Sequence, residues 1–309
     1  MIYLRYFKVL LCSLLLLPAV VQAEKVNMVV TAAFVSNKGL DVYKDIATYI
    51  AKEINSDVTV ISGTSYKESN LLLEQGIIQV GFICGLPYTQ LMAENKLELL
   101  ATPVIAPKAN TRNNEANYKD KPGKYYSYTI VHKDSPINSW KDLKGKSYVY
   151  NDRNSNSGYN MPRYKLIQLG AKSWQDYFSQ TQVSGSHEES IRMVANGVID
   201  ASSVDSLVLD FDRHINDPSA LNVKIIETLF PGGAGAPPVV VSSKIKPALL
   251  KKLRHAFLQM HKSAEGKKIL GRALLLRFDP PNDKNYDDIR KMSNTAKQTR
   301  FNDHLIITR

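Results

Sequence analysis

The sequence predicts an α/β fold made of two lobes, each a mostly parallel sheet flanked by helices. Short β-like runs alternate with helical ones along most of the 309 residues, an order typical of parallel sheets covered by helices. The alternation is interrupted twice, at residues 103–124 and 231–238, by segments rich in Asn, Lys, Pro and Gly. Two interruptions around a middle unit indicate a discontinuous first lobe, two chain crossings that act as a hinge, and a ligand cleft between the lobes.

The first lobe is predicted to span residues 24–124 and 236–309. Its opening elements, in order, are a strand at 25–30, a helix with the apolar face Tyr43, Ile46, Ala47, Ile50 and Ile54, a strand at 57–61, a helix at 66–75, a buried strand at 78–84 and a helix at 86–95. Residues 239–241 are expected to return to this lobe as a strand. Helices at 247–261, 265–275 and 286–296 are then expected to pack on it.

The second lobe is predicted to span residues 125–235. Its elements are strands at 126–132, 146–150, 182–184, 199–204 and 223–229, with helices at 159–169, 188–196 and 206–213. The run from Gly232 to Gly235 resembles a phosphate-binding loop only in its glycine content. No Lys-Ser or Lys-Thr follows it and prolines close it, so a flexible crossover loop is predicted there.

The N-terminus predicts export. Arg5 and Lys8 flank a short apolar stretch at residues 9–17, and Val21-Gln22-Ala23 forms a small-residue cleavage site. Residues 1–23 are therefore interpreted as a signal peptide, with a mature chain from about Glu24 in the periplasm. An uncleaved N-terminal anchor is the alternative.

The remaining composition narrows the function further. Cys84 is the one cysteine left after cleavage, so no intramolecular disulfide can form, and its apolar context predicts a buried residue. The net charge of +11 is interpreted as scattered, without a dense Lys/Arg block and interleaved aromatics, which excludes a nucleic-acid partner. The six histidines show no metal-ligand spacing, so no metal and no cofactor are predicted.

Four turns place polar groups where a strand becomes a helix. The first is Ser155-Asn156-Ser157-Gly158, and the others are residues 62–66, 85–88 and 184–188. The first amides of a helix lack partners within it and attract anions, and the carboxyl ends of strands are where open α/β sheets bind ligands. Ser and Asn are also ordinary helix caps, so a single turn of this kind is explained by capping alone. Four of them in two lobes favour an anion site.

At these residues the chain resembles the PhnD-type substrate-binding proteins of phosphate, phosphite and phosphonate ABC importers. The resemblance covers nearly the whole mature chain in motif order. The matching pieces are residues 134–137, 140–146, Asn151-Asp152, Ser155 to Tyr159, Ser184-Gly185-Ser186-His187, residues 194–197, residues 199–201, Val204-Asp205-Ser206, Val80-Gly81-Phe82 and Pro87-Tyr88. It implies a periplasmic-binding-protein fold with a hinged cleft.

The resemblance also implies a role for each site residue. Ser155, Asn156, Ser157 and Gly158 hold the oxygens of the anion together with the helix amides. From the same lobe His187 donates to these oxygens, and Asp205 accepts a proton from a protonated oxygen or holds a ligand amine. Tyr66 and Tyr88 close over the ligand from the other lobe. Asn156 departs from the family, which often has Thr at this position, and this leaves the choice among phosphonate, phosphite and phosphate open.

The expected function is capture of a small phosphoryl oxyanion by a monomer that delivers it to an inner-membrane ABC permease. One alternative is a receptor with the same cleft that presents its ligand to a membrane sensor kinase. Another is a hydrolase with Ser157, His187 and Asp205 as nucleophile, base and orienting group, although Ser157 lacks a Gly-x-Ser-x-Gly elbow. No catalytic residue is predicted in the leading interpretation.

Overall fold

The computed structural model describes residues 25–31, 37–62, 65–106 and 123–303, and the predicted signal peptide lies outside this part of the chain. The described residues form eleven strands. They are β1 (Lys25–Val30), β2 (Asp57–Ile61), β3 (Val80–Phe82), β4 (Leu97–Ile105), β5 (Lys124–His132), β6 (Ser147–Tyr150), β7 (Gln180–Val183), β8 (Ala201–Asp205), β9 (Val223–Gly235), β10 (Val239–Ser242) and β11 (Leu275–Asp279).

Ten α-helices connect these strands within the same part of the chain. They are α1 (Leu40–Ile54), α2 (Tyr66–Gln75), α3 (Gly85–Ala93), α4 (Met161–Gln168), α5 (His187–Ala195), α6 (Ser206–His214), α7 (Pro218–Leu221), α8 (Pro247–Gln259), α9 (Ala264–Arg272) and α10 (Asp287–Gln298). Local sequence sets several of their ends. The Ser65 hydroxyl caps α2 by accepting from the Glu68 amide, and Gly76 ends that helix in the left-handed conformation.

The strands form two sheets, and each defines one lobe. Lobe 1 has the strand order β11-β4-β10-β3-β1-β2, and lobe 2 has the order β7-β6-β8-β5-β9. The α/β fold class with two sheets flanked by helices is therefore confirmed. Most strands in each sheet point the same way, but β10 and β11 in lobe 1 and β5 in lobe 2 pair antiparallel with their neighbours. Two of these strands follow a crossing between the lobes, since β5 begins lobe 2 and β10 is the first strand after the chain returns to lobe 1.

The structure departs from the predicted elements at the second interruption. Strand β9 continues through the glycine-rich run, with Gly235 opposite Lys124 and Ala234 opposite Tyr125, so the prediction of a flexible loop there was wrong. Gly233 has a φ of 68°, and a Cβ on it would lie 2.9 Å from the Lys124 Cβ. The glycines thus allow a bulged strand to lie close to its partner. Strands β4 and β11 were also not predicted.

The lobe 1 sheet takes strands from both ends of the described chain, β1–β4 and then β10 and β11, as expected of a discontinuous first lobe. The predicted residue boundaries of the two lobes stay a prediction. The end of the chain, however, adds a contact with lobe 2. After α10, the Phe301 ring lies edge-on to Trp174 at 5.3 Å, and the Asn302 amide donates to the Lys172 carbonyl. Asp303 accepts a hydrogen bond from Arg163 of α4. The C-terminal residues therefore return to lobe 2 as a third crossing between the lobes.

The described residues include neither a membrane-spanning helix nor a metal-binding cluster. None of their helices has the length and apolar character needed to cross a bilayer. Nor do they contain a group of three or more His, Cys, Asp and Glu side chains arranged to hold a metal ion.

Candidate functional site

The turn after β6 is the centre of a buried polar cluster. Residues Asn156–Asn160 form one turn of π-helix that leads directly into α4. The Ser155 hydroxyl caps it by accepting from the Gly158 amide at 2.9 Å. Ser155, Asn156 and Ser157 are fully buried. Single π-helical turns are frequent at functional sites because they re-aim side chains and amides locally.

Gly158 is required by the side chains packed against this turn. A Cβ at this position would lie 1.6 Å from Oδ1 of Asn151 and 3.1 Å from Cε1 of His187. Every other residue type would push these groups away from the turn. The predicted place of Gly158 in the site therefore has a steric reason, since it lets Asn151 and His187 approach the helix N-terminus.

His187 begins α5 and lies entirely inside the cluster. Its Nδ1 accepts a hydrogen bond from the Asp205 amide at 3.1 Å, so the neutral ring carries its proton on Nε2. Nε2 is 3.4 Å from the hydroxyl oxygens of both Ser155 and Ser157. Burial lowers the pKa of His187 to about 3, and the imidazole is consequently a neutral donor at neutral pH.

Asp205 ends β8 and caps α6 from inside the same cluster. One carboxylate oxygen accepts from the Leu207 amide at 2.8 Å, and the other accepts from the Ser157 hydroxyl at 3.3 Å. The residue is fully buried, and this burial raises its pKa well above the usual range of a carboxyl. Asp205 therefore favours any state in which it shares a proton with a neighbouring oxygen.

Lobe 1 meets the cluster through two groups that precede or begin its helices. The hydroxyl of Tyr66 accepts a hydrogen bond from Nδ2 of Asn151 at 3.2 Å. Cys84 is buried, as predicted, and its sulfur accepts from the Asn156 amide at 3.1 Å. Burial raises the pKa of Tyr66 well above that of a free tyrosine, so its hydroxyl keeps its proton. The cluster thus lies at the contact between the lobes.

A second contact between the lobes is an ion pair. Lys38, which precedes α1 of lobe 1, pairs with Asp217, the cap of α7 in lobe 2. The carboxylate side chain is almost buried, whereas the lysine is half exposed. The Asp217 carboxylate also accepts from the Ser219 and Ala220 amides, so it is held in place when the lysine is absent.

The structure places Tyr88 differently from the other predicted site residues. Its hydroxyl donates to Asp283 at 2.6 Å, and its ring lies edge-on to Tyr286 at 4.7 Å. Asp283 in turn pairs with Arg290 of α10. The structure therefore brings together seven of the eight predicted residues and gives the Tyr88 hydroxyl a partner within lobe 1.

Three residues of the cluster were not predicted as site residues, namely Asn151, Tyr125 and Asn160. Nδ2 of Asn156 donates to the Tyr125 hydroxyl at 2.7 Å, and Oδ1 of Asn156 accepts from Asn160 at 2.9 Å. The side-chain amide of Asn151 lies 3.0 Å from Nε2 of His187, and its oxygen is the group that can accept a hydrogen bond from the Nε2 proton. Asn151 stands in the motif next to the turn, and this position is a signal that could have identified it. Tyr125 is the second residue of β5 and has no such signal.

The fold and the cluster together define a class of protein. Two α/β lobes that meet at a buried set of helix N-termini and neutral donors are characteristic of two-lobed periplasmic binding proteins. Residues 28–286 match the family model described as "ABC transporter, phosphonate, periplasmic substrate-binding protein". The chain belongs to this family of phosphonate ABC transporter substrate-binding proteins.

Similar proteins agree with this assignment. The chain is 29% identical over 175 residues to the phosphonates-binding periplasmic protein of Escherichia coli K12, a match that covers 55% of this chain and 50% of that protein. It therefore spans about half the length of this curated relative. Its fold is similar to that of a binding protein component of an ABC phosphonate transporter from Pseudomonas aeruginosa, with a TM-score of 0.77, 19% identity and coverage of 90% of this chain and 88% of that one.

A third similar protein was solved with a ligand. The chain has the fold of PhnD1 from Prochlorococcus marinus in complex with methylphosphonate, with a TM-score of 0.73 and 19% identity. The shared region covers 89% of this chain and 98% of that one. At these identities the structural likeness supports the fold alone.

Proposed function

We propose that this protein captures a small phosphoryl oxyanion, which is a phosphonate, phosphite or phosphate, and delivers it to an ABC permease. The observation that carries the proposal is the pairing of His187 and Asp205 around the Ser157 hydroxyl. One is a neutral donor and the other is a carboxyl that prefers to share a proton. A partly protonated phosphoryl group offers both an oxygen to accept from the imidazole and a proton to share with the carboxyl.

This pairing supports selectivity by protonation state. Ser155, Ser157 and the amides of the turn supply neutral donors, and no Lys or Arg is among the predicted site residues. A buried carboxylate beside a fully ionised anion such as sulfate is repulsive, since neither group has a proton to share. A monoprotonated phosphonate or phosphate relieves this repulsion through a hydrogen bond to Asp205. We therefore expect oxyanions without a shareable proton to be rejected.

Asn156 supports the site in a different way from a hydroxyl. Its carboxamide is already engaged by Tyr125 on one side and Asn160 on the other. The side chain therefore braces the π-helical turn, while the Asn156 amide is directed toward lobe 1. We assign the ligand contacts of this turn to the hydroxyls of Ser155 and Ser157, which the side chain of Asn156 supports through its bonds to Tyr125 and Asn160.

The contacts between the lobes support a closing cleft. Tyr66 of lobe 1 reaches Asn151 of lobe 2, and Lys38 pairs with Asp217. In the proposed cycle the lobes open to admit the anion, close on it through these contacts, and present the closed form to the permease. Tyr88 then acts indirectly, by fixing α3 against Asp283. Export by a signal peptide cleaved near Glu24 and function as a monomer in the periplasm belong to the same proposal.

The cluster argues against the hydrolase alternative. A general base on Ser157 needs a free lone pair on Nε2, yet Nδ1 of His187 accepts from the Asp205 amide, which leaves the proton on Nε2. The carboxylate of Asp205 contacts Ser157 rather than the imidazole. Membership of a family of importer-binding proteins likewise favours a permease over a sensor kinase as the partner.

Calorimetric titration of the mature protein tests the proposal. Methylphosphonate, 2-aminoethylphosphonate, phosphite and phosphate are titrated in turn, with sulfate as the fully ionised control. At least one phosphoryl ligand is expected to bind with a Kd of about 1 μM or lower, a free energy of about −8 kcal/mol. Ser157→Ala is expected to weaken it, whereas Ser242→Ala, at a buried serine of β10, is the matched control. Wild-type protein that binds none of the four more tightly than about 1 mM would show that the proposal is wrong.

A further inference from the structure

Most of the net positive charge of this chain comes from one segment. Residues 244–272 contain nine Lys and Arg against the single carboxylate Glu265, a net charge of +8 in a chain whose total is +11. The interpretation of the basic charge as scattered was therefore wrong. Such a concentration calls for an explanation, because like charges held close together destabilise the folded chain.

The fold gathers this charge on one surface of lobe 1. Helices α8 and α9 both pack against α1 through buried apolar residues such as Leu253 and Ile269. Their other sides are exposed and basic. We call this surface the basic face and define it by five exposed lysines on α8, on α9 and in the turn between them, namely Lys251, Lys252, Lys262, Lys267 and Lys268.

The lysines of the basic face form no ion pair with another residue of the described part of the chain. Glu265 pairs with Lys52, and the nearby Arg272 pairs with Asp45. Among the ion pairs of the described residues, none involves a lysine of the basic face. The face therefore presents its charge directly to its surroundings.

The basic face does not belong to the ligand site. Helices α8 and α9 share a hydrophobic cluster with α1 and with sheet residues of lobe 1, and this cluster includes Phe257 of α8 and Val26 of β1. Tyr125 and Tyr159, which border the Ser155–Gly158 turn, belong to another cluster. A small anion in the cleft is held by the neutral donors described above, and the lysines need a different partner.

We propose that the basic face docks the protein on an anionic lipid surface. A specific protein interface has an apolar or aromatic centre, yet none of the large exposed hydrophobic residues among the described part of the chain lies on α8 or α9. Long lysines spread over two helices without such a centre suit a diffuse negative charge, as anionic headgroups provide. The inference is independent of which anion the cleft binds. Its consequence is that the protein concentrates at the membrane where a permease lies.

Vesicle sedimentation of the mature protein tests this inference. Phosphatidylcholine vesicles with and without phosphatidylglycerol are compared, each at low and at physiological salt. Wild-type protein is expected to bind only the vesicles with phosphatidylglycerol, and less so at the higher salt because counterions screen exposed charges. The variant Lys251→Gln, Lys252→Gln, Lys267→Gln and Lys268→Gln is expected to partition at least about tenfold less, since each basic residue adds a severalfold factor.

A lobe 2 variant of equal charge controls for net charge. It changes the exposed lysines Lys133, Lys141, Lys144 and Lys146 to Gln, and it is expected to bind vesicles nearly as well as the wild type. Equal losses in both variants would overturn the assignment to this face. Wild-type protein that ignores the anionic vesicles but binds immobilised polyglutamate would overturn the lipid partner in favour of an acidic protein. Thermal melts and ligand titrations of both variants should match the wild type.

Discussion

Replacement of His187 by Asn should remove the hydrogen-bond donor at Nε2 of the imidazole while it keeps the acceptor at Nδ1. An Asn side chain reaches the position of Nδ1 and can still accept from the Asp205 amide, which now bonds the ring at 3.1 Å. It does not reach the position of Nε2, the atom 3.4 Å from the hydroxyls of Ser155 and Ser157. The substitution therefore removes a donor to the ligand and keeps the bond that orients α5 against β8.

The magnitude follows from the kind of bond that is lost. A hydrogen bond to a charged group contributes about 1.5–3 kcal/mol, which corresponds to a loss of about 10-fold to 150-fold in affinity. The turn itself should persist, because Ser155 still accepts from the Gly158 amide and Ser157 still bonds Asp205. Calorimetric titration with the tightest phosphoryl ligand measures the effect, and far-UV circular dichroism checks that the fold is intact.

Replacement of His187 by Gln is the matched variant. A Gln side chain can place its amide near the Nε2 position but abandons the Asp205 amide, so it is expected to recover part of the affinity while it lowers stability. Exposed His214 replaced by Asn controls for the loss of a histidine. An His187→Asn protein that binds as tightly as the wild type, or a stronger defect in the Gln variant, would refute the assignment of Nε2 as the ligand donor.

Three further substitutions test other parts of the site. Asp205→Asn removes a group whose pKa is raised by burial, so that the folded wild type holds a proton the unfolded chain releases above about pH 4. As pH rises above about 4, the free energy of unfolding of the wild type should therefore fall relative to that of the variant. Urea unfolding midpoints that differ by the same amount at every pH would contradict this. Gly158→Ala forces a Cβ against Asn151, so it should lower the free energy of unfolding in urea by about 1–3 kcal/mol and weaken ligand binding. Wild-type values of both quantities would contradict the steric role of this glycine. Lys38→Met breaks the ion pair with Asp217 and should weaken ligand binding by up to about fivefold. The effect should be smaller at high salt, because counterions screen the pair. A change that does not depend on salt would show that the ion pair does not stabilise the ligand-bound form electrostatically.

The sequence predicted the site residues that lie at the start of a helix, because residue type and spacing along the chain identify such positions. Ser155, His187 and Asp205 each lie at a strand-to-helix junction. The sequence indicates such junctions by a change from strand-like to helix-like spacing of apolar residues and by residues that cap helices. Parallel strands then bring their carboxyl ends to one edge of a sheet, so residues far apart in the chain could be grouped before any contact was known.

The sequence was less informative where function depends on packing between elements. Tyr125 lies near the start of β5, and only the approach of that strand to the turn brings its hydroxyl to Asn156. Tyr88 was predicted from its motif, yet its hydroxyl partner is Asp283, which lies far along the chain. The glycine-rich run has every local mark of a loop, and pairing with β5 makes it a strand. In each case a tertiary contact overrides the local preference.

The position of β10 has a consequence for the order in which the chain acquires its structure. This strand lies between β3 and β4 in the lobe 1 sheet, although β4 ends at Ile105 and β10 begins at Val239. During synthesis β3 can pair with β1, but β4 lacks both of its partner strands, β10 and β11, until most of the chain has emerged. Lobe 2, by contrast, has all its strands by Gly235. Pairing across so long a separation is slow. Assembly of the lobe 1 sheet is therefore expected to be completed only after lobe 2 has its full set of strands.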